Sequence, residues 1–261
     1  MDLINRCAST LDAAAVAARA TAQFSTTGIA LTLDQAYAVQ AALVGRRVER
    51  GGRIVGVKMG FTSRAKAIQM GVHDQIWGRL TADMEVADGG DLSFGHFVHP
   101  RVEPEIAFRL KAPLSGIVTP EQALAAVDGV TAALEIIDSR YRDFKFSLAD
   151  VVADNASSAA FVVGPWQEPG GDLRALDMVM SINGQPRQMG SSAAILGDPL
   201  LSLVAASRLA GDAGITLQPG WIVLAGAATA AEALAPGDHV TLEAQELGRV
   251  EFQMTAEGSA E

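Results

Sequence analysis

Val98-His-Pro-Arg-Val-Glu-Pro-Glu-Ile-Ala-Phe108 has the alternation of a half-buried β-strand. Successive strand side chains point to opposite faces, so Glu103 and Glu105 share one face. Val102, Ile106 and Phe108 share the other and are apolar, as the core side should be. Two carboxylates side by side call for a cation. A third, Glu135, sits in the next strand-like run, Thr131-Ala-Ala-Leu-Glu-Ile-Ile137, among apolar neighbours where a lone charge is costly to bury. Three carboxylates on β-structure, with no Cys or His cluster, describe a hard-cation site, and Mg²⁺ or Mn²⁺ is the simplest ion. The other reading is that all three are solvated strand residues.

Outward from this strand the chain divides into a helical segment, 1–52, and a β-rich body, 53–261, that together make a single-domain protein. An Ala-rich helix is expected to about Phe24. A second starts at the capping box Thr32-Leu-Asp-Gln35 and stops at Gly51-Gly52. From Arg53 the texture changes to short strands, Ile54 to Met59 and Ile76 to Leu80, with a small helix from Ser63 to Met70 between them. Thr119-Pro120 and Asp198-Pro199 each open a helix with a cap and a first-turn proline. Asn183-Gly184 joins two strands as a type I′ hairpin, Gly237 to Met254 forms another, and Thr255 to Glu261 is a frayed tail. Strands outnumber helices without βαβ regularity, so the fold class is α+β.

The 261 residues are 49% hydrophobic, enough for a substantial core. No apolar run reaches the roughly 20 residues of a membrane span, and the start lacks the basic-then-apolar order of a secretory signal, which points to the cytoplasm. The single cysteine, Cys7, cannot form an intramolecular disulfide. A formal net charge of -10 argues against nucleic-acid binding, which needs basic surface to displace counterions. The histidines, His73, His96, His99 and His239, show no metal-ligand spacing, so zinc is disfavoured.

Four other places carry candidate chemistry. Lys58 lies inside the apolar strand Gly56-Val-Lys-Met-Gly60, either as a cation or general acid at the site or as a snorkelling edge-strand lysine. Arg140, in the polar loop leaving the Glu135 strand, is a candidate bidentate grip for a substrate carboxylate. Asp150 to Ser158 reads first as turn and cap chemistry. In Trp221-Ile-Val-Leu-Ala-Gly-Ala-Ala-Thr229 a buried strand runs into a small-residue loop whose N–H groups and Thr229 hydroxyl suit an anionic oxygen, or simply make a tight turn.

Taken in order, Gly56-Val-Lys-Met-Gly-Phe-Thr-Ser63, His99-Pro-Arg-Val-Glu-Pro-Glu-Ile-Ala107, Leu134-Glu-Ile-Ile-Asp-Ser-Arg140 and Val152-Ala-Asp-Asn-Ala-Ser157 resemble the 2-keto-4-pentenoate hydratase and 4-oxalocrotonate decarboxylase family. The resemblance implies a mixed β-roll like the C-terminal domain of fumarylacetoacetate hydrolase, with Mg²⁺ or Mn²⁺ held by Glu103, Glu105 and Glu135. It also implies a catalytic role for Lys58 and a substrate-site position for Ser157.

Hydratases of this family typically carry an acidic residue at the position of Ile76, just before an aromatic-Gly pair, here Trp77-Gly78. With that acid absent, and with the Glu103-Pro-Glu105 spelling, His99-Pro100, Asp138-Ser-Arg-Tyr141 and Phe144-Lys-Phe146, the chain resembles the decarboxylase branch, which acts late in bacterial meta-cleavage of catechols. The reaction implied is loss of CO₂ from the dicarboxylate 2-oxo-3-hexenedioate to give 2-hydroxypenta-2,4-dienoate, with Ile76 forming an apolar wall. A complex with the partner hydratase that consumes this dienol is implied as well. The rivals are the hydratase itself, an acylpyruvate hydrolase of the same fold, and a metal- and dicarboxylate-binding partner without turnover.

Overall fold

In the computed structural model, residues 2–62 and 74–256 are described. The helix expected from Ser63 to Met70 and the tail residues 257–261 lie outside them.

The helical segment contributes α1 (Leu3–Val16) and α2 (Leu33–Glu49). Asp2 caps α1 by accepting the Asn5 N–H, and the Thr32 and Gln35 side chains cap α2 reciprocally. The first helix is shorter than the Ala-rich composition suggests. It ends at Val16 because Ala18 turns left-handed (φ 47°), and Thr21 then pairs with Tyr141 instead of continuing a helix.

The body holds thirteen strands among the described residues. They are β1 (Ile54–Gly60), β2 (Ile76–Thr81), β3 (Glu85–Val86), β4 (Asp91–Ser93), β5 (Arg101–Leu110), β6 (Val127–Ile137), β7 (Ser158–Val163), β8 (Asp177–Ile182), β9 (Gln185–Ser191), β10 (Ile222–Leu224), β11 (Glu232–Ala233), β12 (His239–Ala244) and β13 (Gly248–Thr255). Among the described residues, helices α3 (Pro120–Ala125), α4 (Leu148–Ala153) and the longer α5 (Pro199–Asp212) join them.

The large sheet runs β2-β1-β10-β5-β6-β7-β3, with β11 added beside β5, and the small one runs β4-β13-β12-β8-β9. Both are mixed: β1 with β10, β3 with β7 and β4 with β13 are parallel, and the remaining pairs are antiparallel. Side-chain parity explains how the sheets meet. Val102, Ile106 and Phe108 of β5 and Leu134 and Ile136 of β6 pack in one core with Val240, Leu242, Val250 and Phe252 of the small sheet. The opposite face of the large sheet, bearing Glu103, Glu105 and Glu135, is left to a site.

The helical segment closes one flank. Leu11, Val39 and Leu43 form a second core with Ile76, Tyr141 and Val152. Within it the buried Gln40 amide donates to the Trp77 and Val152 carbonyls, tying α2 to β2 and α4. The stretch Ser192–Asp212 has the length and apolarity of a membrane span. Its backbone breaks at Leu196 and Gly197, both with positive φ, and α5 then buries Leu203, Ala206 and Ala210 in the main core. Ser202 donates to the Ala225 carbonyl and Ser207 to that of Gly116, so this is a core helix.

Candidate metal centre and substrate pocket

Strand register brings the acids together. Glu103 on β5 is directly opposite Glu135 on β6, and Glu105 follows two residues along on the same face. Like charges directly opposite in a sheet repel. Here each of Glu103, Glu105 and Glu135 offers an oxygen within 4.8 Å of the others, and Glu105 and Glu135 are fully buried.

Lys58 joins them from β1. It aligns with Leu224 of β10, which aligns with Ala107 of β5, so it shares the acidic face. With β2 on one side and β10 on the other, β1 is not an edge strand, which removes the snorkelling reading of Lys58. The lysine is 3% exposed, and its Nζ lies 2.7 Å from Glu135 Oε2 and 3.4 Å from the Ala156 carbonyl.

In the fully buried pair Glu105 and Glu135, two further oxygens accept hydrogen bonds and one does not. Ser158 donates to Glu135 Oε1 at 2.9 Å, and the Gly226 N–H donates to Glu105 Oε2 at 2.7 Å. Glu105 Oε1 is buried and has no hydrogen-bond partner among the described residues. An orphaned carboxylate oxygen beside two further carboxylates, with no His or Cys joining them among the described residues, is the donor set of a hard divalent cation, so the residues fit Mg²⁺ or Mn²⁺. The electrostatics agree. Burial, followed by the Glu135 charge, pushes the Glu105 carboxyl well above the usual carboxylate range, and Lys58 pulls it only partly back. For Lys58 burial acts to lower the pKa, but Glu135, Glu105 and Glu103 outweigh it and the net shift is upward, so its ammonium stays charged.

The loop after β6 shapes the wall. Asn155, Ala156 and Ser157 all have positive φ (53°, 52° and 60°), a costly run for residues with a Cβ. It is clamped from several sides. Asn155 pairs through its amide with both backbone groups of Arg79 (2.8 and 2.9 Å), and its carbonyl approaches Gly78 so closely that a Cβ there would stand 2.5 Å away. The Asp138 N–H donates to the Ser157 carbonyl at 2.7 Å, while the Asp138 carboxylate accepts the Val98 and His99 N–H groups at the entrance to β5.

Arg140 completes the clamp, which corrects the expectation that it grips substrate. Its backbone N–H and Nε donate to the Asp154 carboxylate and its Nη groups to the Asp138, Asp154 and Ser158 carbonyls, so the guanidinium is spent on the fold. The run thus presents the Ala156 carbonyl to Lys58 and leaves the buried Ser157 Oγ without a partner among the described residues.

A pocket of about 330 Å³ opens on this centre, lined by Lys58, Glu103 and Ser157 and walled by Phe61, Ile76, Ile137 and Val151. Ile76 is buried at the start of β2, opposite Gly60. Thr229 stands apart from the lining: its hydroxyl donates to the Ala230 carbonyl, and the anionic oxygen that its loop holds belongs to Glu105. A larger cavity of about 490 Å³ lies behind the Asn155–Ser158 wall, and Arg140 faces that side. Its Arg47 and Arg50 are paired with Asp83 and Asp12, and among the described residues its carboxylates do not gather as a cation-binding group.

The sequence profile of the fumarylacetoacetate (FAA) hydrolase C-terminal family matches residues 53–255, from the residue before β1, the strand that carries Lys58, to the end of β13. The chain belongs to the fumarylacetoacetate hydrolase family. Within it, a 4-oxalocrotonate decarboxylase of a Pseudomonas species is 57% identical over 254 residues, covering 97% of this chain and 99% of that relative. The structure of 4-oxalocrotonate decarboxylase from Pseudomonas putida G7, complexed with magnesium and adipate, matches with a TM-score of 0.93 at 38% identity, over 96% of this chain and 97% of that one. A 2-hydroxyhexa-2,4-dienoate hydratase of Comamonas testosteroni is 36% identical over 230 residues, covering 86% of this chain and 87% of the relative.

Sequence reasoning missed some of the pocket. Phe144 and Phe146 line it together with Arg101, whose parity on β5 matches Glu103 and Glu105 and was the available signal. The Ala156 carbonyl, a backbone group, left no signal, whereas the Gly226 N–H belongs to the small-residue loop that the sequence offers to an anionic oxygen.

Proposed function

We propose that the chain decarboxylates 4-oxalocrotonate (2-oxo-3-hexenedioate) to 2-hydroxypenta-2,4-dienoate and CO₂ with the help of a divalent cation, Mg²⁺ or Mn²⁺. The observation that carries this reading is a buried lysine on a carboxylate trio at the floor of a pocket whose wall at Ile76 is apolar. Glu103, Glu105 and Glu135 are the residues that would hold the cation. When bound, it supplies a Lewis acid at the 2-oxo acid end of the substrate.

The electron pair of the C5–C6 bond becomes the new C4=C5 bond as CO₂ leaves. The C3=C4 pair moves to C2=C3, and the carbonyl pair comes to rest on the C2 oxygen. Lys58, fixed by Glu135 and Ala156, presents positive charge and a proton to that oxygen. Ser157, whose hydroxyl lines the pocket without a partner among the described residues, donates to the same end of the substrate on this reading. Thr229 is outside the pocket lining, next in sequence to Ala230 which belongs to it, and is kept only as a candidate substrate-binding residue.

The hydratase relatives define the alternative, addition of water to the dienoate. It needs a proton-transfer group for the water, and Ile76 offers none. Incubation of the metal-loaded protein with 2-oxo-3-hexenedioate, following CO₂ and products, tests the reading, and hydration of the dienoate in place of CO₂ release would refute it. On the same reading residues 1–52 are an accessory helical segment to the catalytic body 53–261, the compartment is the cytoplasm, and the unstable dienol is handed to a partner hydratase held in complex.

A further inference from the structure

The side chain two residues before Glu103 on β5 belongs to the same face. Arg101 lines the pocket with Lys58, and among the described residues these are its two cations. Lys58 is engaged by Glu135, whereas the Arg101 guanidinium makes no hydrogen bond or ion pair with a described residue. What it does make is a stack: its central carbon sits 4.5 Å over the Phe144 ring centroid. Phe144 is in turn braced by His99 at 5.2 Å and Phe146 at 5.8 Å. A guanidinium held by its face keeps its in-plane N–H fork free, and that fork matches a carboxylate. Strand rise puts Arg101 about 7 Å from Glu103 along β5, the length scale of an extended six-carbon diacid anchored at the carboxylate trio.

We propose that Arg101, on its Phe144 platform, is the residue that binds the distal carboxylate and selects dicarboxylates over monocarboxylates. The choice of diacid rests on the decarboxylation reading. Its energetic signature is specific: the distal carboxylate leaves as neutral CO₂, so an ion pair to it favours the bound substrate rather than the transition state. Arg101 therefore acts on KM and not on kcat.

The test is calorimetry on the Mg²⁺-loaded protein with adipate, which has no 2-oxo group and cannot turn over, and with 2-oxopentanoate as the monoacid. Arg101→Gln is expected to weaken adipate binding ~10- to 100-fold, the loss of a charge-assisted hydrogen-bond pair, and to leave 2-oxopentanoate binding unchanged. KM for 2-oxo-3-hexenedioate rises in parallel while kcat stays within about threefold. Phe144→Leu, which keeps the charge and removes the platform, weakens adipate binding less but with the same selectivity. Unchanged adipate affinity in Arg101→Gln, or an equal loss for diacid and monoacid, overturns the proposal. Should Arg101→Gln not fold, the comparison in wild-type protein of adipate with its monomethyl ester decides, equal affinity being the contradicting result. None of these binding measurements requires turnover, so a failed decarboxylation assay would leave them readable.

Discussion

Glu105 has one carboxylate oxygen on the Gly226 N–H and the other without a partner among the described residues, and its pKa is raised first by burial and then by Glu135. A cation that binds there must displace a proton retained at a pH where an ordinary carboxylate has lost it. Mg²⁺ affinity is therefore expected to fall as pH falls, with proton release on binding in calorimetry, and a pH-independent affinity would contradict the assignment. Glu103→Gln, Glu105→Gln and Glu135→Gln should each weaken Mg²⁺ binding severely, since an amide lowers the charge holding a hard cation. Lys58→Met should still bind the ion and lose about 10²- to 10⁴-fold in kcat, and a folded variant with near wild-type kcat would return Lys58 to a structural role. The carboxylates were legible because alternation fixes their faces whatever the partner strand. Arg140 was misread because sequence cannot distinguish a guanidinium waiting for substrate from one satisfied by Asp154 across a loop.

At the scale of elements, local chemistry was readable and long-range closure was not. The Thr32 and Thr119 capping boxes are in place, as is the Asn183-Gly184 turn with φ of 54° and 72° that a type I′ hairpin requires. The parallel pairing of β1 with β10 leaves no local mark, although it delivers Lys58 to β5. Nor does the left-handed run Asn155–Ser157, built without glycine and held by tertiary hydrogen bonds. Removing its clamp should be expensive: Arg140→Met leaves Asp154 as a buried uncompensated charge, for a loss of about 3–5 kcal/mol in chemical denaturation. A loss under about 1 kcal/mol would mean that the pair does not hold the wall. Gly226 is constrained from two directions, by its φ of 101° and by the Thr62 hydroxyl occupying the space of a Cβ. Gly226→Ala should displace the N–H that orients Glu105 and weaken Mg²⁺ binding in the same titration.

Across the whole molecule, two mixed sheets share one core and leave the acidic face of the larger sheet for chemistry, with the helical segment packed along its flank. The α+β class followed from strand-rich texture without βαβ order, and the β-roll from the resemblance of four short motifs. The order of strands in the sheets followed from neither, because it depends on pairings between distant segments. A cation bound only by the folded form should stabilise it by about 2.7 kcal/mol at a hundredfold excess over Kd, seen as a rise in melting temperature that a chelator reverses. The central claim is that this centre removes CO₂ and does not add water, because Ile76 stands where hydration needs an acid or base. One paired assay tests it: the Mg²⁺-loaded protein is given 2-oxo-3-hexenedioate in one cell and 2-hydroxypenta-2,4-dienoate in the other, with CO₂ and 4-hydroxy-2-oxopentanoate measured in both. The expected result is CO₂ from the diacid and no 4-hydroxy-2-oxopentanoate from the dienoate; efficient hydration without CO₂ release would contradict it.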